Sequence, residues 1–597
     1  MSAPRTRGRA LLAYFALLVA AASVTWPLLG RGWTAHDDGM LGQTAERIRL
    51  GQLPHRDFEE IYTGALGYYH ALAQLLAGTT MMAPRYAFFA MWLGWIGLVY
   101  VIAKRVAPVW WAAAFSLAVG MWTVPVYPVA MPSWYLLFLG TAAIGALFRW
   151  RDDNDTQWIY AAGLAIGAAL TIKITALYLL AAAMISIVVA EQDEPRPRAA
   201  VMEPVVRSVV SWIVIAGLLL LPALVFGLLR ARLAGGELVH LGLPTLLVVS
   251  AVILREVRTH DRRWRSIIAP FARLAVGIAI PVLIFTLPYV VSGSAGSLVR
   301  GVFLDPLTRI GGMNFQMSAL EKTVPGLWVI ALAAAELRWG STRMARAAFA
   351  CIASYIVWRS TISYKTYEGV WEGIRLLLPF AVGAVALTAG IRERFVAITL
   401  AAFTSLFALN QFPFSAPVYF CFIAPLAFLT LWFVVPGFAP RLVGTTVLLG
   451  GFAFLALQPG DIKTLGYYPT HTDLGHRLAE PRGGLLVSQA DSAQYTDALR
   501  IIRAHRGSLP IYAGPGTPEL EFLVGPPYAG RGVFHFLGTD VRDTVDATRL
   551  APAAGANVVV WNLEPYFGEK PSAAVQAWYA ARFPNSARVD AFEVRWR

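Results

Sequence analysis

The sequence predicts a polytopic α-helical membrane protein, with about 13–15 transmembrane helices, that carries an extracytoplasmic α/β domain at its C-terminal end. Composition is the first reason. Of 597 residues 57% are hydrophobic and only 14% charged, where a soluble chain carries about 25% charged residues. The second is pattern: mean hydropathy is +0.56, and apolar runs of roughly 15–25 residues recur along the chain. The third is a change of character near Gln458, after which the chain turns polar. The formal charge of +14 does not point to nucleic acid, because most arginine clusters flank apolar runs, where they orient helices. Cys351 and Cys421 are the only cysteines and both lie in apolar segments. That excludes a disulfide framework and argues against a thiolate metal site.

The chain opens on Arg5, Arg7 and Arg9 followed by an apolar run from Ala10 to Leu29. This reads as a retained first helix with a cytoplasmic N-terminus; a signal peptide cleaved near Ala20-Ala21-Ala22 is the alternative. Further spans are expected at 85–103, 107–124, 131–149, 157–171, 174–190, 206–228, 237–254, 267–290, 324–338, 345–361, 374–390, 394–410, 416–435 and 441–457. Basic clusters at Lys104-Arg105, Arg149 to Arg151, Arg196 to Arg198, Arg255 to Arg265, Arg338 to Arg346, Arg392 to Arg394 and Arg441 belong in the cytoplasm by the positive-inside rule. Counting 62–77 as a crossing would put two of these clusters outside. With Tyr68, Tyr69 and His70 in it, that run reads as an interfacial or re-entrant helix. The outer face then collects 31–84, 125–130, the break at Lys173, 291–323, 362–373 and 411–415. The expected division is a catalytic module over 1–190 with its first outer loop at 31–84, additional membrane helices over 191–457, and the extracytoplasmic domain over 458–597. In the last, Leu509 to Tyr512, Asn557 to Trp561 and the alternating Ala587 to Trp596 read as strands, and Ala493 to Ala504 and Ala573 to Ala581 as helices.

The residues able to do chemistry concentrate in the first outer loop. His36-Asp37-Asp38-Gly39 places two carboxylates just past the first helix. Adjacent carboxylates can act as base and helper, or simply cap an interfacial helix that begins near Gly39. Asp57, Glu59 and Glu60 follow, as further acids of a site or as a solvated helix start. His36, His55 and His70 share the loop with these acids, yet no helical i, i+4 ligand pair appears. No cofactor is required by this set, and a divalent cation, Mg or Mn, stays open. Lys173 interrupts the apolar stretch Ile159 to Ala190, where an ammonium is costly unless it meets a watery cavity or an anion. Arg375 either serves a site or snorkels to head groups.

Together with Asp37-Asp38, Gly51, Pro54, Arg56, Asp57 and Phe58 carry a resemblance to the GT-C superfamily of polyprenyl-phosphate-sugar-dependent glycosyltransferases. The likeness is closest to the protein mannosyltransferase and lipid A aminoarabinose transferase branch. Thr171 to Tyr178 is similar to that family's helix break with its lysine, and Ile511 to Leu523 to a segment of the outer domain of some bacterial members. The chain departs at Tyr62-Thr63-Gly64, where the family has paired prolines. The resemblance implies inverting sugar transfer from a polyprenyl-phosphate donor to an extracytoplasmic hydroxyl or amine of a cell-envelope glycan, lipid or protein. It implies Asp37 as base with Asp38 beside it. Lys173, with Lys365 and Arg375, would meet the donor phosphate, and His55, Arg56, Asp57, Glu59 and Glu60 the acceptor or sugar. The alternatives are a membrane transporter or flippase of lipid-linked or small solutes, which would place its ionisable residues mid-membrane on repeated helices, and a non-catalytic envelope scaffold.

Overall fold

The computed structural model describes residues 3–193, 209–233, 235–258, 264–306, 317, 342–361, 363–387, 394–434, 474–478, 481–533, 555–565 and 572–597. The first third is a run of helices: α1 (Ala3–Leu29), α2 (Ala35–Arg49), α3 (Ala65–Ala77), α4 (Met82–Ala103), α5 (Val109–Met121), α6 (Pro132–Asp153), α7 (Gln157–Ile172) and α8 (Leu177–Gln192). Later come Val209–Leu229, Leu243–Arg258, Trp264–Val291, Arg343–Thr361, Tyr364–Arg375, Leu377–Leu387, Arg394–Phe407 and Ala424–Val434. Among the described residues 8 helical stretches are long and apolar enough to cross a membrane, and four shorter apolar helices accompany them. Most expected spans coincide with these helices to within a few residues; 131–149 and 345–361 fall on the helices Pro132–Asp153 and Arg343–Thr361, which are not among them, and 324–338 and 441–457 lie outside the described residues. At 416–435 only Ala424–Val434 is α-helical, preceded by the three-ten turn Pro417–Phe422.

Helix α3 has 13 residues, about 20 Å, as short as α5, so the distribution of its side chains and not its length sets it apart. Its Leu72, Leu75 and Leu76 are exposed while His70 and Gln74 are buried, the division of a helix lying along an interface. Gly64 supplies its N-terminal turn in a left-handed conformation (φ 117°), where the resembling family has prolines.

Two kinds of contact order the bundle. Helix α7 crosses Trp264–Val291 backbone to backbone: a Cβ on Gly163 would stand 2.4 Å from the Leu274 carbonyl oxygen, and one on Gly167 2.5 Å from that of Ile278. Small residues four apart permit this approach, and packing is what holds helices together in lipid. The helix ends are sorted by polarity. Arg105, beyond α4, pairs with Asp152 near the end of α6. Arg394 donates to Asp193 at 2.8 Å and to the Gln192 side chain at 3.0 Å, beyond α8. Three of the basic clusters thus gather at one end of the bundle, as a common side requires.

The polar C-terminal part begins with a small antiparallel pair, β1 (His476–Arg477) and β2 (Leu486–Val487). A second sheet has the order β3-β4-β6-β5, built from β3 (Ile511–Gly514), β4 (Val558–Asn562), β5 (Asn585–Val589) and β6 (Phe592–Trp596). Strands β3 and β4 are parallel and the other pairs antiparallel. Helices Gln489–Arg506 and Ala573–Arg582 start on Ser488 and Ser572, whose hydroxyls accept the first free N–H groups. The run 587–596, expected as one strand, is a hairpin: Asp590 turns the chain at φ 49°, which Asp tolerates better than most side chains.

Gly163→Val inserts volume where two backbones touch, and overpacking costs about 1–3 kcal/mol. The variant is expected to melt several degrees below wild type in detergent, while a Val at Gly94, which has open space around it, leaves the transition in place.

Candidate functional site

Helix α2 begins at Ala35, one turn before the expected start near Gly39, so His36, Asp37 and Asp38 form its first turn. Carboxylates are favoured there by the N-terminal end of the helix dipole. The two adjacent acids nevertheless face different surroundings.

Asp38 is buried against Arg85 of α4, with both side chains almost wholly out of water. Arg85 Nε donates to Oδ1 at 3.1 Å and Nη2 to Oδ2 at 2.7 Å. The remaining guanidinium donors reach the carbonyls of Leu29 and Gly32, each at 2.9 Å, and the Thr34 N–H donates to Asp38 at 3.1 Å. Charge, lone pairs and donors are matched, as a buried ion pair requires. Asp37, by contrast, keeps 16% of its side chain exposed. The Tyr127 hydroxyl donates to its Oδ2 at 2.5 Å, and His36 Nε2 lies 3.7 Å away. Burial raises the Asp37 carboxyl above its ordinary range, with His36 and the Tyr127 hydrogen bond pulling it partly back. Burial also lowers His36, which favours the neutral imidazole.

Lys173 sits where α7 stops. Its backbone is extended (φ −151°, ψ 128°), and the outer loop closes on the break, with the Thr63 N–H donating to the Ile172 carbonyl at 3.2 Å. The ammonium donates to Ser133 Oγ at 3.1 Å and lies 5.7 Å from the centre of the Tyr62 ring. No carboxylate pairs with it among the described residues. Asp37 is therefore bonded to Tyr127 and Lys173 to Ser133, the two ends of the short loop that leads into α6. Just beyond, Thr175 donates to Asn410 at 2.6 Å. Arg375 donates to the neighbouring Gln411 side chain at 3.3 Å and to the Ser415 carbonyl at 3.0 Å, with Glu372 3.6 Å away. Lys173 and Arg375 thus bracket the Asn410-Gln411 turn, whereas Lys365 is exposed.

The remaining residues of the loop divide. Arg56 and Asp57 bind each other at 2.6 Å, and Asp57 also accepts from the Leu53 N–H at 2.7 Å. The bond from Arg56 holds the Asp57 carboxyl below its ordinary range. Glu59 is exposed, and its backbone N–H donates to the Arg531 carbonyl at 2.8 Å. His55 is buried at a left-handed position, φ 63°, its Nε2 against the Thr63 carbonyl at 3.1 Å. Of this group only Glu60 lines the small cavity between α2 and α3, with Thr44, Tyr62 and His70. Glu60 accepts from Thr44 at 3.2 Å and from the Tyr62 N–H at 3.0 Å. His70 meets the Tyr135 hydroxyl at 2.9 Å, and burial pushes it down to about 3. His36, His55 and His70 thus have separate partners, and no group of three or more His, Cys, Asp or Glu side chains could hold a metal ion among the described residues.

Sequence reasoning missed Arg85, Tyr127 and Ser133. Arg85 carried a usable signal, since it lies at the start of an apolar span just as Lys173 interrupts one. Tyr127 and Ser133 carried none beyond their place beside the outer segment 125–130.

No family model matches the chain, and no curated protein sequence matches it. Among solved structures it is similar to ArnT from Cupriavidus metallidurans in the apo state (15% identity, 98% of each chain, TM-score 0.39). The same protein bound to undecaprenyl phosphate gives 14% identity over 98% of this chain and 97% of that one, TM-score 0.43. The oligosaccharyltransferase of Archaeoglobus fulgidus in the apo form gives 12% identity over 92% of this chain and 70% of that one, TM-score 0.37.

Removing one partner of a buried ion pair strands the other, at about 3–5 kcal/mol. Arg85→Leu is expected to lower the melting temperature of the purified protein more than any exposed-arginine control such as Arg300→Leu. Unchanged melting of Arg85→Leu would show that the pair is not holding the loop.

Proposed function

We propose that this chain is an integral-membrane inverting glycosyltransferase. It moves a sugar from a polyprenyl-phosphate donor to an extracytoplasmic hydroxyl or amine on a cell-envelope glycan, lipid or protein. The observation that carries the reading is the placement of a partly exposed carboxylate, Asp37, and a cation with no carboxylate partner among the described residues, Lys173, at opposite ends of the Tyr127–Ser133 segment. Both lie away from the end of the bundle where Arg105 and Arg394 gather. By the positive-inside rule that end is cytoplasmic, so the site and the C-terminal domain face outward.

In this mechanism the acceptor oxygen or nitrogen attacks the anomeric carbon from the face opposite the phosphate. Asp37 takes the acceptor's proton as the new bond forms. The bond between the anomeric carbon and the phosphate oxygen breaks, and its electron pair leaves with the polyprenyl phosphate. Charge builds on that phosphate, and Lys173 stabilises it most in the transition state, which is where stabilisation accelerates the reaction. Arg375 stands on the other side of the Asn410-Gln411 turn as a second cation for the same anion. Asp38 holds the helix rather than the substrate, since Arg85 and Thr34 already occupy both its oxygens. Glu60 is the acid best placed to meet a hydroxyl of the sugar or acceptor.

The test is transfer of radiolabelled sugar from polyprenyl phosphates by membranes containing wild type or variants. Asp37→Asn is expected to lose on the order of 10²–10⁴-fold in rate, the usual contribution of a positioned base. Lys173→Ala is expected to lower kcat, with Lys173→Arg recovering part of it. Equal transfer by wild type and Asp37→Asn removes the base. Transport of the intact lipid-linked sugar without bond cleavage would favour the transporter alternative.

The pH profile gives an independent check. A base with a raised pKa must shed its proton to work, so activity falls as pH drops through that raised value. The Tyr127 bond pulls the Asp37 pKa down. Tyr127→Phe is therefore expected to move the acid limb to higher pH, and a limb that stays put or moves to lower pH contradicts the assignment.

A further inference from the structure

The face of α2 turned away from the membrane helices is wholly occupied by the C-terminal domain. A Cβ on Gly39 would stand 2.3 Å from the Glu519 Cα and 2.4 Å from its backbone nitrogen, and one on Gly42 3.0 Å from the Phe522 ring. Gln43 donates to Glu521 at 2.5 Å. Glu46 accepts from both Arg482 and the Tyr528 hydroxyl. These four positions recur at helical spacing, so they form one stripe. Arg47, beside the stripe, donates to the Gly530 carbonyl at 3.1 Å and lies 4.7 Å from the centre of the Tyr528 ring. At the edge of the stripe Asp38 is bound to Arg85 of α4, and on the far side Thr44 to Glu60 of the following loop. Arg482 also donates to the Phe522 carbonyl at 2.6 Å, tying the Glu46 contact to helix Pro518–Val524 beneath Gly39.

We infer that the C-terminal domain is a positioning element of the active site: through the Glu46–Arg482–Tyr528 contact and the Gly39–Glu519 backbone contact it fixes the rotation and depth of α2, and with it Asp37. The inference rests on the reading of Asp37 as the base. Asp37 lies two residues before Gly39, within the same turn, so a displacement of α2 at Gly39 is carried to the carboxylate without attenuation. Misplacement by about 1 Å costs on the order of 10²-fold in rate. A domain merely tethered to the membrane module would not need two glycines at the contact, or a carboxylate accepting from two separate donors on its surface.

Glu519 lends this contact a titration of its own. Tyr495 donates to its Oε1 at 2.8 Å, while the buried Oε2 has no partner. The groups facing it are Tyr495, Glu521 on the same helix and the backbone of Gly39. Burial raises the Glu519 carboxyl to about 8. Below that pH it is neutral and the contact is undisturbed. Above it, an unpaired charge next to Glu521 opposes close packing under α2.

The experiment uses the full-length protein in lipid nanodiscs, with two readouts: hydrogen exchange of α2, and sugar transfer from a polyprenyl phosphate. Gly39→Ala and Arg482→Gln are expected to speed exchange across Ala35–Arg49 and to lower kcat by about 10–100-fold, with KM for the donor within about two-fold of wild type because Lys173 is untouched. Glu519→Gln is expected to keep kcat at neutral pH and to abolish a loss of activity centred near pH 8. Unchanged α2 exchange in both Gly39→Ala and Arg482→Gln overturns the inference, as does faster exchange with kcat intact. A fall in kcat matched by a rise in KM and a lower melting temperature reduces the domain to structural support, and also overturns it. If wild type transfers no sugar while α2 exchange still responds to Arg482→Gln, the transferase reading fails and the mechanical coupling stands.

Discussion

One guanidinium, almost without water around it, organises the outer end of this molecule. Arg85 reaches the last carbonyl of α1, the turn that follows it and the first turn of α2, while its own backbone belongs to α4. An isolated charge at that depth would be untenable; Asp38 makes it tolerable, and the two carbonyls use the donors that remain. The result is a fixed junction from which α2 projects at a defined angle. The division of labour between the two neighbouring acids follows from it. One carboxylate is consumed in holding the junction, which leaves the other, Asp37, at the edge of the packed region with a single tyrosine donor and a nearby imidazole.

A second constraint places the cation. Lys173 is where it is because α7 ends there, and α7 is held by its glycine crossing with Trp264–Val291 and by the Thr63 N–H bonded to the Ile172 carbonyl. The helix break frees backbone groups, and the Thr63 N–H satisfies one of them, the Ile172 carbonyl. Acid and cation are thus set by different parts of the bundle, α4 with α1 on one side and α7 with Trp264–Val291 on the other. They are brought into register by one loop of which both ends are polar, Tyr127 and Ser133. Pro128 and Pro132 lie between those ends, and their fixed φ angles limit how far the two can drift.

The legibility of this arrangement in the sequence followed the range of the interactions. Most of the described apolar helices were legible to within a few residues, because hydropathy and flanking arginines act within one segment and lipid penalises any error. Lys173 was legible for the same reason: a charge in an apolar run is a local anomaly. Charge sidedness led to reading 62–77 as an interfacial or re-entrant helix, and the helix there has its leucines exposed and His70 and Gln74 buried. What the sequence hid was the choice of partner. Nothing local tells Asp37 from Asp38, since the difference lies in Arg85, 47 positions on, and Tyr127, 90 positions on. Arg56 and Asp57 bind each other, a pairing that adjacent opposite charges make available anywhere and that their spacing alone does not announce. The hairpin at Asp590 was hidden because an alternating pattern continues across a tight turn as easily as along one strand.

The C-terminal domain is where local and distant order meet. Its own elements follow from ordinary signals, serine caps and short apolar strands, and it would be legible as an independent unit. Its relation to α2 would not. The acidic and amide side chains Gln43 and Glu46 look like the solvated face of an interfacial helix, and in a free helix that is what they would be. They are buried because Arg482, Tyr528 and Glu521 come from more than 400 residues further on. A helix with one face in a membrane-side ion pair and the other under a soluble domain has no face left for water. Of the two carboxylates in its first turn, the partly open one is the one that the reaction would need. The C-terminal domain and the membrane bundle therefore both contact the same short helix, the one through Gly39, Gln43 and Glu46 and the other through Asp38.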